Sequence, residues 1–291
     1  MTETMTETAI QASIQTDWAA LEHRLGVLPL IAAFFEPGAL ADLVAGRKLG
    51  ALGLFTPAPE PGWGAVALAG ERSGTVPNSA LLRGDVRLPA ATADGALVLV
   101  KLDGEHRLAW LDHRAPGVEL RGDAAPFWLH ADGAQVGLEL LSRPVTLDPG
   151  GAFARCLETY AAGWAAAAVG CARDGVRELR RAARTAGFQS AQQVALGITE
   201  VEIEADLAAA ALRRAGEGDQ EGAGALLLAV AAARALSGVA ARTTELRDAW
   251  GLRIDGPLAN GAATTLTAYL GGTLLLEREL SRALGIGESG R

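Results

Sequence analysis

The sequence predicts an α+β fold in three consecutive parts: a shortened N-terminal helical segment over 1–47, a central antiparallel β-domain over 48–150 and a C-terminal four-helix bundle over 151–291. Three observations carry this. Apolar residues recur at helical spacing near the start. Gly, Pro and short β-rich runs dominate the middle. Long alanine- and leucine-rich stretches, parted by glycines, fill the end. The 291 residues are enough for about two domains of packed layers.

Residues 12–47 read as one or two helices. Trp18, Leu21, Leu25 and Leu28 recur at helical spacing, Pro29 falls into the pattern as an interruption, and Leu40, Leu43 and Val44 resume it. Asp17 is the expected N-cap. In the middle part, Ala96–Leu102 and Glu105–Leu111 flank Asp103-Gly104, a pair that supplies the positive φ angles of a two-residue hairpin turn. Val136–Leu141 and Val145–Leu147 read as later strands. Long helices are expected at about 151–185, 188–215 and 220–250, with Gly187 and the stretch Gly216–Asp219 between them. Asp255-Gly256-Pro257 breaks the chain again. A last helix then follows in Thr264–Gly285, stopped by its terminal glycine. Four antiparallel helices with short links are the economical arrangement for such a series.

Hydrophobic residues make up 49% of the chain and aromatic ones only 5%, so Ala and Leu carry much of the core and favour close helix contacts. The net charge of −8 argues against a nucleic-acid partner, which would call for a basic face. No uncharged run reaches the length of a membrane span, so no membrane partner is expected. The start of the chain lacks the basic-then-apolar order of a secretory leader. Cys156 and Cys171 lie in an apolar helical pattern and read as small buried hydrophobes, not a disulfide framework. A cytoplasmic protein is the expectation. His23, His106, His113 and His130 show no metal-ligand spacing, so no metal is expected. Ser79 and Ser142 lack a nucleophile elbow. The glycines of 216–224 lack the Gly-Lys-Ser/Thr ending of a phosphate loop.

Several short motifs occur in a fixed order. Gly50–Gly64 reads GALGLFTPAPEPGWG, Gly84–Asp94 leads into ALVLV, and Pro116-Gly117-Val118 follows the hairpin. Gly170 and Ala172 lie on the first long helix, Phe188-Gln189 with Gln192 opens the second, and Gly271-Gly272-Thr273 precedes the last helix. Over about residues 48–286 this series resembles the acyl-CoA dehydrogenase family. The resemblance implies FAD-dependent α,β-dehydrogenation of an acyl-CoA, with electrons passed to an electron-transfer flavoprotein or similar acceptor. It implies cofactor contacts from Thr56, Arg184, Gln189, Gly272 and Thr273.

The departures from the family pattern are as informative. The N-terminal helical part, one wall of the family's acyl pocket, shrinks to about 45 residues. Pro57 replaces the glutamate of the Ala-Leu-Thr-Glu-Pro segment, and Leu88-Pro89-Ala90 stands for the Trp-Ile-Thr that packs on the flavin. The loop Arg-x-x-Phe-Gly is missing where Arg184-Thr185-Ala186-Gly187 runs into Phe188, and Trp250-Gly251-Leu252 replaces His-Gly-Gly. Gly271 occupies the position of the glutamate that takes the substrate α-proton in many members. A glycine takes no proton, and losing a positioned base typically costs about 10²–10⁴-fold. No catalytic residue is therefore assigned. Members that carry the base on the first bundle helix place it near Tyr160. Glu158 is the nearest acid, but two residues along a helix turn it about 200° to another face.

Resemblance and departures together imply a subunit of a heteromeric enzyme, similar to the short subunits of the α2β2 acyl-CoA dehydrogenases of actinobacterial steroid catabolism. A homologous full-length subunit would supply the base and share the FAD, and the smaller wall would admit a bulky acyl-CoA such as a steroid side-chain thioester. Two alternatives stay open: a flavin-free, non-catalytic or repurposed homologue that binds a ligand or another protein, and a flavin-independent cyclase or dehydratase. Arg177, Arg180, Arg181 and Arg184 form a stripe on one helix face. It reads either as a contact to phosphates or an acidic partner, or as a solvated face balanced by Glu178.

Overall fold

The computed structural model describes residues 18–53, 68–88, 93–122, 127–147, 151–188, 191–217 and 223–253. Asp17, Thr56, Gln189 and the expected last helix Thr264–Gly285 lie outside the described residues.

The chain begins with α1 (Trp18–Glu22), a π-helical turn (His23–Val27) and α2 (Leu28–Phe34) in one unbroken run. Pro29 accounts for the wide turn. It has no N–H to donate four residues back, and its ring crowds the carbonyl there. The turn opens instead to five residues, with the Leu28 N–H donating to the His23 carbonyl. A short α3 (Ala41–Val44) follows.

Seven strands form one sheet: β1 (Gly50–Gly53), β2 (Leu68–Arg72), β3 (Ser79–Leu88), β4 (Gly95–Leu102), β5 (Glu105–Asp112), β6 (Val118–Arg121) and β7 (Phe127–Gly137). The expected hairpin is β4–β5, with Leu102 paired to Glu105 and with Asp103 and Gly104 at φ 53° and 83°. The sheet is mixed where the sequence pointed to an antiparallel one. β3 pairs antiparallel with β2 and β7, and β6 with β7, but β4 lies parallel to β1 and to β2 along its second edge. A two-residue turn can only produce an antiparallel neighbour. β1 and β2 reach β4 through long connections, which leave both orientations open. β4 is covered on both faces, so its sequence is a continuous apolar run, not an alternation. One face belongs to a core of Leu68, Leu82, Val86, Leu88, Val98, Val100, Leu111 and Leu129.

The expected late strands take a different form. Val136 belongs to β7, Leu138–Leu140 make a 3-10 turn, and 145–147 are not a strand. This segment runs along β5 instead: Leu141 bridges Ala109, and the N–H groups of Ser142 and Val145 donate to the Leu108 and His106 carbonyls. The β5 edge is thereby capped without a further regular strand.

Three helices complete the described chain: α4 (Ala152–Thr185), α5 (Gln192–Glu217) and α6 (Ala223–Trp250). Gly187, at φ 74°, closes α4, with the Phe188 N–H returning to the Ala183 carbonyl. Phe188 then meets Trp250 edge to face at 5.4 Å. Arg180 pairs with Glu202 between α4 and α5, and Arg242 with Glu200 at 2.6 Å between α5 and α6. Exposed pairs of this kind contribute about 0–1 kcal/mol each. The larger contribution is burial of Trp164, Leu179, Val194, Leu236 and Val239. The chain divides into two compact units, with the division between Tyr160 and Ala161 inside α4. No helix among the described residues is long and apolar enough to cross a membrane.

Candidate functional site

β1 precedes Thr56, the expected flavin contact, in the chain, and among the described strands it pairs with β4 alone. Its other edge is closed by two consecutive side chains from the helical run. The Gly50 N–H donates to Nδ1 of His23 at 3.1 Å, and the Leu52 N–H donates to Oε1 of Glu22 at 2.9 Å. Alternate N–H groups of a strand point the same way, so adjacent helix residues at the wide turn can reach both. The other oxygen of Glu22, Oε2, accepts from the Tyr160 hydroxyl at 2.9 Å. Glu22 is 1% exposed, His23 3% and Tyr160 3%. A carboxylate this deep is tolerable only with donors on it, and here both oxygens have one.

His23 Nε2 lies 2.9 Å from the Leu43 carbonyl. Nδ1 accepts and Nε2 donates only in the neutral Nε2–H tautomer. Burial lowers the His23 pKa, opposed by the bond to Leu43, which agrees with a neutral ring. Gly26, in the same turn, has no room for a side chain: a Cβ there would stand 2.6 Å from Leu52 Cδ1 and 3.1 Å from Tyr160 Cδ2. Glu22, His23, Gly26, Leu52 and Tyr160 are thus one locked cluster that fixes β1. It is a clamp and offers no free carboxylate oxygen to a ligand.

The sequence motifs did not reveal this cluster. Its signal was present: Glu22 lies four residues after Trp18 and three before Leu25, in the apolar stripe of the helix, where a charge demands a partner.

Among the predicted site residues, Thr56, Gln189, Gly271, Gly272 and Thr273 lie outside the described residues. Arg184 is exposed in the last turn of α4 and makes no ion pair with a described residue. Along the same stripe, Arg177 pairs with Asp174 and Arg180 with Glu202. Glu158 is half-buried, and burial raises its pKa against the opposing pull of Arg155. Cys156 and Cys171 are free thiols, and burial pushes Cys171 up to about 12, which makes it inert at neutral pH. A cavity of about 370 Å³ lies beside Lys48, Trp110, Asp112 and Val136. Lys48 and Asp112 adjoin the Gly50 end of β1, whereas Thr56 follows the Gly53 end, and neither Glu22 nor Tyr160 lines the cavity.

No protein-family model matches the chain, and no curated protein does. Solved structures do. The ChsE4–ChsE5 complex from Mycobacterium tuberculosis matches at TM-score 0.78 and 19% identity, over 97% of this chain and 80% of that one. FkbI, for biosynthesis of the methoxymalonyl extender unit of the polyketide immunosuppressant Fk520, matches at 0.76 and 18%, over 98% and 85%. A glutaryl-CoA dehydrogenase from Mycobacterium smegmatis, solved in complex with FADH2, matches at 0.73 and 17%, over 96% and 75%. The likeness shows the fold: an acyl-CoA dehydrogenase-like arrangement of N-terminal helices, mixed β-sheet and C-terminal helices.

Proposed function

We propose that the chain is a subunit of an FAD-dependent acyl-CoA dehydrogenase and acts only together with a homologous full-length subunit that provides the base. The observation that carries this is a pairing of presence and absence. The acyl-CoA dehydrogenase-like fold spans nearly the whole chain, while by the resemblance of its sequence Gly271 takes the position of the family's proton-accepting glutamate. The likeness to a two-component complex supports a heteromer.

FAD, when bound, supplies the acceptor for the substrate β-hydride. In this chain Thr56, Arg184, Gln189, Gly272 and Thr273 would hold it. Arg184 fits the group: its guanidinium is exposed and no described carboxylate neutralises it, as a pyrophosphate contact requires. The clamp of Glu22 and His23 on β1 fixes the strand that precedes Thr56 in the chain. Among the described residues, none is proposed to take the α-proton. Gly271 has no side chain, both oxygens of Glu22 are committed, and Glu158 lies on another face of α4 from Tyr160. The substrate is read as a bulky acyl-CoA, in keeping with the short N-terminal wall, and a steroid side-chain thioester is the leading case.

Co-expression with a homologous chain that retains Glu-Gly-Thr tests the reading. The expected product is a yellow, co-purifying complex that reduces an electron-transfer flavoprotein or dye with acyl-CoA. This chain alone binding FAD tightly and turning over would refute the helper role. A second reading, a flavin-free binding protein, is favoured by Leu88-Pro89-Ala90 at the flavin-packing position. It predicts colourless complexes throughout.

A further inference from the structure

The cavity of about 370 Å³ contains none of the residues assigned to flavin. Its size falls in the range of small-molecule sites, about 300–1,000 Å³. The walls are mainly apolar, from Trp110, Leu43, Val136 and Leu140. Water held against such walls lacks partners, so an apolar occupant that displaces it gains binding energy. Trp110 is a fixed wall. A Cβ at Gly50 would stand 3.0 Å from its Cζ3 and one at Gly95 2.6 Å from its Cζ2, and these two glycines pair in register on β1 and β4. The indole fills the room that both leave, so the cavity has a rigid aromatic side before any ligand arrives. Leu40 also lines it, on a left-handed backbone at φ 55° that is unfavourable for a residue with a Cβ.

The polar end of the cavity is Lys48 beside Asp112. Lys48 Nζ donates to Oδ2 of Asp112 at 2.9 Å, and Oδ1 of Asp112 accepts from the Arg114 N–H at 2.9 Å. Both carboxylate oxygens are therefore engaged. The ammonium has three N–H groups, and one of them donates to a described residue. What this end offers a ligand is a donor. Around it stand Asp42, Asp94 and Asp112 against Arg47 and Lys48, three carboxylates to two cations. That balance disfavours an anion and leaves a neutral acceptor, a carbonyl or a hydroxyl. We propose that the cavity binds a neutral, apolar small molecule of about two fused rings that carries one such oxygen, with the rings against Trp110 and the oxygen accepting from Lys48. The site rests on the cavity and its charges and not on the dehydrogenase reading. Leu43 lines the cavity and its carbonyl meets Nε2 of His23, so an occupant packs beside the clamp on β1.

The test is fluorescence titration of the purified full chain with prodan, a neutral aminonaphthyl ketone whose emission moves to the blue in apolar surroundings and to the red when its carbonyl accepts a hydrogen bond. The ketone should bind saturably, one per chain, and raise the melting temperature. The corresponding aminonaphthoic acid, used as competitor, should bind at least tenfold more weakly. Ala41→Trp, which fills the cavity from an exposed lining position, should abolish binding. Lys48→Met keeps the stem and removes the donor. It should weaken binding at least tenfold and move the emission of the bound ketone further to the blue, whereas Lys48→Arg should retain most of the affinity. Thermal melts of the free variants guard against misfolding. No saturable binding, undiminished binding by Ala41→Trp or by Lys48→Met, or the acid binding as tightly as the ketone overturns the proposal. None of these readouts involves flavin or turnover, so the site and the dehydrogenase reading stand or fall separately.

Discussion

Glu22 ties three parts of its unit together through two bonds: the helix it belongs to, the β1 edge at Leu52 and the α4 helix at Tyr160. Removing one donor from a buried carboxylate leaves the rest of its solvation unreplaced. Tyr160→Phe is therefore expected to cost about 1–3 kcal/mol, read as a lower urea midpoint at unchanged slope. An unchanged midpoint would show that the hydroxyl bond contributes nothing. His23 gives a pH dependence with a definite sign. Its folded pKa lies below the ordinary 6.5, and His113 shifts the same way through burial. The unfolded rings take up protons that the folded ones refuse, so stability is complete above about pH 6.5 and declines as the pH falls below it. Each ring contributes up to about 1.4 kcal/mol per pH unit until its folded pKa is passed. Urea unfolding at pH 7.5 and 5.5 should show this loss, and His23→Gln should reduce it; an identical loss in the variant would contradict the account. The cluster was readable only in part. A charge in an apolar helical stripe was visible in the sequence. Its partners, 30 and 138 residues away, were not, because helix periodicity carries no information about distant donors.

At the scale of elements, local chemistry was legible and long-range pairing was not. Asp103-Gly104 specified its turn because the required backbone angles belong to those two residues alone. Gly104→Val, a β-branched residue placed at φ 83°, should cost about 1–2 kcal/mol, measured by thermal or urea melts. The parallel placement of β1 and β2 beside β4 depends on connections of many residues, which no turn motif encodes. The segment after Gly137 had strand-like composition, yet it caps the β5 edge as an irregular stretch. The π turn produces the least intuitive expectation. Glycine to alanine inside a helix is ordinarily stabilising by about 0.5–1 kcal/mol. At Gly26 the new methyl would enter the packed Leu52 side chain at 2.6 Å, so Gly26→Ala should destabilise by about 1–3 kcal/mol instead. A stabilised variant would mean that Leu52 yields freely.

At the scale of the molecule, the order of helices, sheet and helices was legible from changes in composition and period, and three long helices lie close to their expected bounds. Of the expected flavin contacts and the nearest acid, only Arg184 and Glu158 fall among the described residues, so the motifs define that site as a proposal and not as geometry. The proposed function rests on Gly271, which the resemblance aligns with the family's proton-accepting glutamate. Among the described residues, the buried carboxylate of Glu22 is fully engaged in holding β1. On the proposed function, the chain depends on a base brought by another chain. The decisive measurement is turnover of the reconstituted complex in which the partner's Glu-Gly-Thr glutamate is changed to glutamine. The account predicts a complex that keeps its flavin and loses activity by about 10²–10⁴-fold. Undiminished turnover by that complex would show that this chain supplies its own base, and would contradict the account.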